Sequence, residues 1–283
     1  METTDNMNGI DRIIDTALAE DIHTGDITTL AMLPKARRMR ARLIAKEPLV
    51  LAGLAVAERV FAKLDPTACF SASFADGDRL EPGQVIARIE GDASALLQGE
   101  RVSLNLLQRM SGIATQTAAY VKELEGTSAR VVDTRKTTPG LRVLEKYAVR
   151  VGGGTNHRTG LYDGVLIKEN HIAAAGGIAE AVRRARAYIP HTLKIEVETE
   201  TLDEVGQALE AGADIIMLDN MSLEQMTEAV GLIAGRALVE ASGGVNLGTI
   251  GAIAKTGVDI ISVGALTHSV RAADISMLME ECC

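Results

Sequence analysis

After residue 128 the chain repeats one unit: a short apolar run that ends in polar or Gly-rich residues, followed by an amphipathic segment at helical spacing. The runs are ARVVDT, DGVLIK, LKIEVE, ADIIMLD, ALVEASGG and VDIISVGA, and the intervening helices are predicted to begin near Pro139, Gly177, Thr201, Ser222 and Asn246. Apolar strands alternating with helices mean parallel strands covered on both faces. No G-x-G-x-x-G follows the first run, and successive right-handed units close on themselves, so a TIM-like α/β barrel is expected over an open doubly wound sheet. Six or seven strands are visible where a full barrel has eight, so the barrel is expected to be incomplete.

Before residue 112 the pattern is different. GIDRIIDTALAED places Ile10, Ile13, Ile14, Ala17 and Leu18 on one helical stripe. RMRARLIAKEPLVLAG alternates and then runs apolar, as strands do, and AGLAVAERVFAKL returns to helix. FADGDRLEPGQVIARIEG carries two turn signals around short alternating runs and reads as a hairpin. It has the look of half a biotinyl or lipoyl carrier, but no lysine stands at a hairpin tip, so a small sheet packed on helices is the simpler reading. QGERVSLNLLQRMSGIATQTAAYVKEL is one long helix or two in series; Arg101, Asn105, Gln108 and Ser111 form an acid-free polar stripe on it. The expected organisation is an N-terminal α+β sandwich domain (1–111), a barrel (112–270) and a tail (271–283) that packs back on the N-terminal domain.

Composition narrows the function. Aromatics are only 2% and Trp is absent, so the core must be Leu, Ile, Val, Ala and Met. A formal net charge of −9 argues against nucleic-acid binding. No run approaches ~18 uninterrupted apolar residues, so no membrane span is expected. METTDNMNGI has neither a basic nor an apolar leader region, and the three cysteines are odd in number, with two adjacent; a cytoplasmic protein without disulfides is expected.

Barrels build their sites at the carboxyl ends of the strands. There the first strand ends in Thr134, Arg135 and Lys136, within VVDTRKTTPG. A Gly-rich loop, GGGTNHRTG, brings His157 and Arg158. The later strands end in Lys168, near Glu196 and Glu198, in Asp219, in Ser242-Gly243-Gly244 and in Val263-Gly264-Ala265. From Val131 to His171 there are seven Lys/Arg against four Asp/Glu, so a basic concavity suited to a small polyanion is expected inside an acidic chain.

Singly, each group has a plainer explanation. Arg135 and Lys136 read equally well as a surface pair, and His157 as a structural hydrogen-bonder. Glu198 and Asp219 read as ion-pair partners, and the glycines as turns. Lys168 is harder to dismiss, because a charge ending a buried strand needs a partner or a task. Together the groups separate into three zones. The glycines after the last strands let backbone N–H groups and the next helix N-terminus meet a phosphate. Glu198 and Asp219 offer hard oxygen ligands to Mg2+. Arg135, Arg158, Lys168 and His157 offer donors to carboxylates. A phosphate, a metal-bound pyrophosphate and a carboxylated acceptor together suggest phosphoribosyl transfer.

The segments DTRKTTPGLRVLEKYAVRVGGGTNHRTGLYDGVLIKENH, LDN, EASGGV and GVDIISVGALTHS, with EDIHTGDITT and GERVSLNLLQRMSGIAT upstream, resemble the quinolinate phosphoribosyltransferase family over nearly the whole chain. The resemblance implies an N-terminal sandwich and an incomplete α/β barrel, in a homodimer where one subunit caps the other's barrel. It implies Mg2+, and the reaction of quinolinate with phosphoribosyl pyrophosphate to nicotinate mononucleotide, pyrophosphate and CO2. By the same resemblance Arg101 reaches a quinolinate carboxylate across the dimer, while Thr134, Arg135, His157, Arg158 and Lys168 surround the dicarboxylate. Lys136 lies on the ribose-pyrophosphate side, and Glu198 and Asp219 hold Mg2+ and ribose hydroxyls. Ser242, Gly243, Gly244 and Gly264, with neighbouring Val263 and Ala265, take the 5′-phosphate. Three alternatives stand beside this: a molybdate-transport-associated paralogue with another acceptor, a Schiff-base aldolase using Lys168, and a non-catalytic sensor of phosphorylated sugars. The doublet Cys282-Cys283 is not expected from the family.

Overall fold

The computed structural model describes residues 4–33 and 37–280, so the Cys282-Cys283 doublet lies outside the described residues. In chain order the elements up to the long helix are α1 (Thr4–Ile22), α2 (Ile27–Met32), β1 (Arg38–Ala45), β2 (Leu49–Val50), α3 (Leu54–Leu64), β3 (Cys69–Ala72), β4 (Arg79–Leu80), β5 (Val85–Asp92) and α4 (Ala93–Lys122). Then come β6 (Arg130–Val132), α5 (Arg142–Val151), β7 (Val165–Ile167), α6 (Glu169–Ala175), α7 (Ile178–Tyr188), β8 (Ile195–Thr199), α8 (Leu202–Glu210) and β9 (Ile215–Asp219). The last are α9 (Leu223–Ile233), β10 (Leu238–Ser242), α10 (Ile250–Ala254), β11 (Ile260–Ser262), α11 (Ala265–His268) and β12 (Ile275–Glu280). The chain divides into two compact units, one of residues 1–118, 137–153 and 269–283, the other of residues 119–136 and 154–268.

The first unit is built on an antiparallel sheet in the order β12-β1-β5-β3. β12 pairs with β1 through Ala41 opposite Met279 and Ala45 opposite Ile275. One face of this sheet is apolar: Ala41, Leu43, Ile86, Ile89, Ile275 and Met277 are buried with Phe61 of α3 and Leu96, Leu104 and Leu107 of α4. The hairpin expected around Pro82-Gly83 does not form. β4 pairs with β2, whereas β5 pairs with β1 and β3. Gly83, at φ +89°, donates its N–H to Ala45 O at 2.8 Å, so the turn hands the chain from one sheet to another instead of folding it back. The polar stripe of α4 is not one solvated face either. Arg101 and Asn105 are exposed, but Gln108 Nε2 donates to Ile275 O at 2.6 Å, and Ser111 is buried against the backbone of Ala52.

The second unit is a six-stranded parallel sheet in the order β6-β11-β10-β9-β8-β7. Going round the sheet returns from β7 towards β6, and between these two no ladder forms among the described residues; one parallel bridge, Val132 to Thr155, occupies the open side of β6. This is the incomplete barrel that the repeat suggested. The helix starts follow local chemistry. Thr201 and Glu204, and Ser222 and Gln225, form reciprocal capping boxes at α8 and α9. α10 begins at Ile250 and not near Asn246, because Asn246 and Thr249 first close a turn on each other. Likewise α5 begins at Arg142, after the turn that follows Pro139.

Candidate active site

The carboxyl ends of the parallel strands open into a cavity of about 770 Å³. Thr134, Arg135 and Lys136 enter it after β6, His157 and Arg158 from the loop before β7, and Lys168 directly after β7. Glu198 of β8, Asp219 of β9, Ser242-Gly243-Gly244 at the end of β10, and Val263-Gly264-Ala265 after β11 complete the ring. The barrel residues singled out from the sequence therefore share one cavity, except Glu196, which lines a second, smaller one. Arg101 belongs to the first unit and is exposed on α4.

The expected basic character is only partly right. Of the seven cations counted between Val131 and His171, Arg142, Lys146 and Arg150 belong to α5, and none of these three lines the cavity. Four Lys/Arg remain, and they face Glu198, Asp219 and Glu240. The site is thus a mixed field, with cations towards β6 and β7 and carboxylates on β8, β9 and β10.

Asp133 explains how the cationic side is held. It is fully buried, accepts the His157 N–H at 3.0 Å through Oδ1 and the Asn156 side-chain amide at 2.5 Å through Oδ2. The Gly-rich loop is thereby clamped to the end of β6. Beyond it, Thr134 Oγ1 accepts the Lys136 N–H at 3.0 Å, and Thr267 Oγ1 donates to Lys136 O at 2.7 Å. The backbone of the TRK segment is fixed while the Arg135 and Lys136 side chains stay exposed to the cavity. Arg158 donates to Gly164 O at 3.1 Å. Burial, and then the Arg135 charge, push the Arg158 pKa below its usual value, against Glu196 and Asp163, which raise it.

Lys168 forms an ion pair with Glu198 across β7 and β8. A Schiff-base lysine must be neutral to attack a carbonyl, so this pairing counts against the aldolase reading. On β9, Asp219 Oδ2 accepts from the Asn220 side-chain amide at 2.7 Å. Glu198 and Asp219 are hard oxygen donors on adjacent strands of one cavity, a set that fits Mg2+, which takes one or two carboxylates and completes its shell with substrate phosphate.

Gly243 is sterically required, Gly244 takes a left-handed backbone that favours glycine, and Gly264 sits close to its neighbours. Gly243 and Gly244 have φ of +93° and +61°. A Cβ on Gly243 would stand 2.1 Å from Asn220 Oδ1 and 2.9 Å from the Asn220 backbone nitrogen. Asn220, itself left-handed at φ +55°, fills the space that a side chain would need. A Cβ on Gly264 would crowd Lys136 Cδ at 3.2 Å and the His268 ring at 3.1 Å.

Below these groups lies a buried cluster in which Glu240, not singled out from the sequence, joins His157 and Glu196. His157 Nδ1 accepts the Arg158 N–H at 2.7 Å, which leaves its proton on Nε2. Nε2 stands 3.0 Å from Glu196 Oε2 and 3.6 Å from Glu240 Oε1. Both ring nitrogens are engaged within the protein. Oε1 of each glutamate is buried without a hydrogen-bond partner. Burial first, and the Glu196 charge second, push the Glu240 pKa up to about 8, while His157 and the Ser262 hydroxyl act to lower it. The signal was present in IEVE and VEAS: with a period of two, Glu196 shares a face with Glu198, and Glu240 with Ser242.

Two family models match this chain. The one described as quinolinate phosphoribosyl transferase, N-terminal domain, covers residues 26–111, and the one described as its C-terminal domain covers residues 113–278. The chain belongs to the quinolinate phosphoribosyl transferase family. Among curated relatives of that family, a probable nicotinate-nucleotide pyrophosphorylase [carboxylating] of Bacillus subtilis is 48% identical over 271 residues, covering 93% of each chain. The chloroplastic nicotinate-nucleotide pyrophosphorylase [carboxylating] of Arabidopsis thaliana is 44% identical over 287 residues, covering 95% of this chain and 82% of its own. Among solved structures, NadC from Streptococcus pyogenes superposes with a TM-score of 0.95 at 46% identity over the full length of both chains. The nicotinate-nucleotide pyrophosphorylase of Francisella tularensis gives 0.92 at 43% identity, covering 96% of each.

Proposed function

We propose that this chain transfers the phosphoribosyl group of phosphoribosyl pyrophosphate to quinolinate and decarboxylates the product, giving nicotinate mononucleotide, pyrophosphate and CO2 for NAD biosynthesis. The observation that carries the reading is the single cavity in which Arg135, Lys136, Arg158 and Lys168 face Glu198 and Asp219 beside the Gly243-Gly244 turn. The family's carboxylating relatives favour quinolinate over the acceptor of a paralogue.

In this reading Arg135, Arg158 and Lys168 hold the two carboxylates of quinolinate, with Thr134 and His157 beside them. Lys168 exchanges its Glu198 partner for substrate. The backbone N–H groups of Ser242, Gly243, Gly244 and Gly264, with Val263 and Ala265, cradle the 5′-phosphate. Glu198 and Asp219 would hold Mg2+ and the ribose hydroxyls; the ion supplies charge neutralisation for the departing pyrophosphate. Lys136 stabilises the same leaving charge, and Glu198 offsets the positive charge that develops on the ribose as the pyridine nitrogen attacks C1. The N-alkylated ring is then an electron sink, so the neighbouring carboxylate leaves as CO2.

The same reading includes a homodimer in which Arg101 of one chain completes the cavity of the other. Its support is an exposed Arg101 on the acid-free polar stripe of α4, and the exposed Ile27, Leu30 and Met32 of α2, an apolar surface of the kind that assembly covers. No described helix is long and apolar enough to cross a membrane, and a cytoplasmic location belongs to the same reading. The test is a direct assay with quinolinate, phosphoribosyl pyrophosphate and Mg2+. Pyrophosphate and CO2 should appear in equal amounts, and pyrophosphate without CO2 would refute the carboxylating assignment.

A further inference from the structure

Loss of CO2 from the pyridinium ring leaves an electron pair on C2, and that carbon must take a proton before the product is complete. The proposed function supplies no acid for this step, and the present inference rests on that reading. The cations that would hold the acceptor carboxylates do not qualify, since each is needed as a charge. The cavity, however, has a buried acid on its wall.

Glu240 lies on β10 one pleat below Ser242, beside Ser262 of β11. It lines the substrate cavity and also a second cavity of about 410 Å³, whose other walls include Glu196, Asp163 and the exposed Thr192 and Lys194. Only 1% of Glu240 and 3% of Glu196 is accessible. One ligand atom each of Glu240, Glu196 and His157 lie within 4.8 Å of one another, and burial beside a second carboxylate favours the protonated form of Glu240. His157 cannot neutralise them both, because the Arg158 N–H occupies Nδ1 and only one N–H remains. The charged and titratable groups facing Glu240 are Glu196 from β8 and His157 from the loop before β7, and the raised pKa of Glu240 agrees with this count. His157 directly precedes Arg158 in the chain, so the acid stands on the side of the cavity where the acceptor carboxylates would be held.

We propose that Glu240 is the general acid that protonates C2 of the pyridine ring as decarboxylation proceeds. The C2–carboxylate bond breaks and CO2 departs while the electron pair developing on C2 takes the proton of the Glu240 carboxylic acid in the same step, so CO2 release itself depends on the acid. The Glu240 carboxylate is then reprotonated from water by way of the second cavity. The step needs no oxidant, reductant or further reactant. Glu196 is a positioning residue, whose charge beside Glu240 favours the proton on Glu240.

The test is single-turnover quench with quinolinate labelled in its C2 carboxylate, following pyrophosphate and CO2 in the same samples. In Glu240→Gln, CO2 release should fall at least ~tenfold behind pyrophosphate release, since positioned acids contribute on the order of 10²–10⁴ in rate, and the carboxylated mononucleotide should accumulate. A structural role would slow both products together, and CO2 keeping pace with pyrophosphate in Glu240→Gln would overturn the proposal. Should that variant fail to fold, Glu240→Asp keeps an acid at a shorter reach, and the same lag, smaller, is expected; no lag in a folded Glu240→Asp would likewise overturn it. Failure of the wild type to release pyrophosphate with quinolinate would be a different result, striking the proposed function and not the acid.

Discussion

On the antiparallel sheet, Arg40 of β1 and Glu90 of β5 meet at 3.0 Å with side chains 52% and 39% exposed. On the parallel sheet, His157 meets Glu196 at the same distance with side chains 14% and 5% exposed. The geometry is alike and the consequence is not. Water already solvates the first pair, so the contact is worth at most ~1 kcal/mol. The second is largely withdrawn from water, and Glu196 Oε1 is buried without a hydrogen-bond partner. An antiparallel sheet with one wet face can carry charge without cost. A parallel sheet covered on both faces tolerates it only inside the barrel, at the strand ends that meet the cavity. Polar residues inside the second sheet therefore mark function, and those outside the first mark solubility.

The largest effect follows from the proposal that Arg101 of one chain completes the cavity of the other. Arg101→Ala and Lys168→Ala should each lose most activity, because each leaves a substrate carboxylate without its charged partner, at ~2–5 kcal/mol. Unfolded and refolded together, the two inactive variants should regain roughly a quarter of wild-type activity, since about half the dimers are mixed and each mixed dimer has one intact site. No recovery despite proven subunit exchange would mean that Arg101 acts within its own chain or only in folding.

Gly243→Ala comes next. The added methyl meets the side chain and backbone of Asn220, and overpacking of this kind costs ~1–3 kcal/mol. KM for phosphoribosyl pyrophosphate should rise about tenfold or more, with little change in quinolinate binding measured alone. Equal loss of both would mean that the turn shapes the whole cavity.

Asp219→Asn should raise the Mg2+ concentration needed for half-maximal rate and lower turnover, again sparing quinolinate binding. If quinolinate binding disappears while the Mg2+ requirement stays, the carboxylate and metal zones are misassigned. The smallest effect belongs to the antiparallel sheet. Arg40→Ala should shift thermal or urea stability by less than ~1 kcal/mol, and less still in high salt; a larger loss would break the comparison of the two sheets.

Much of this was legible in the residues, for physical reasons. Parallel strands leave long apolar runs, and Thr201 and Ser222 announce their helices by capping chemistry. Because such strands put their carboxyl ends on one face, the residues that follow them group together from chain order alone. What escaped depended on pairing through space. Pro82-Gly83 reads as a hairpin turn but separates β4 from β5, a matter of which edges are vacant. The counted surplus of cations ignored that α5 carries three of them away from the cavity. Asp133 and Asn220 are given no role by the sequence, because their roles rest on one buried clamp and one close approach to a glycine. Glu240 could have been found by strand parity, but nothing in the sequence says that it meets Glu196.

The most direct measurement is acceptor choice. On the proposed reading the two carboxylates of quinolinate engage several cations, whereas nicotinate presents only one, and losing a charge-assisted partner costs ~2–5 kcal/mol. The ratio of kcat/KM for quinolinate to that for nicotinate, at saturating phosphoribosyl pyrophosphate and Mg2+, should be at least ~30, the tenfold-per-1.4 kcal/mol equivalent of the lower bound. Comparable values for the two acids would contradict the account, because they would show that the cations gathered at the strand ends do not read the second carboxylate.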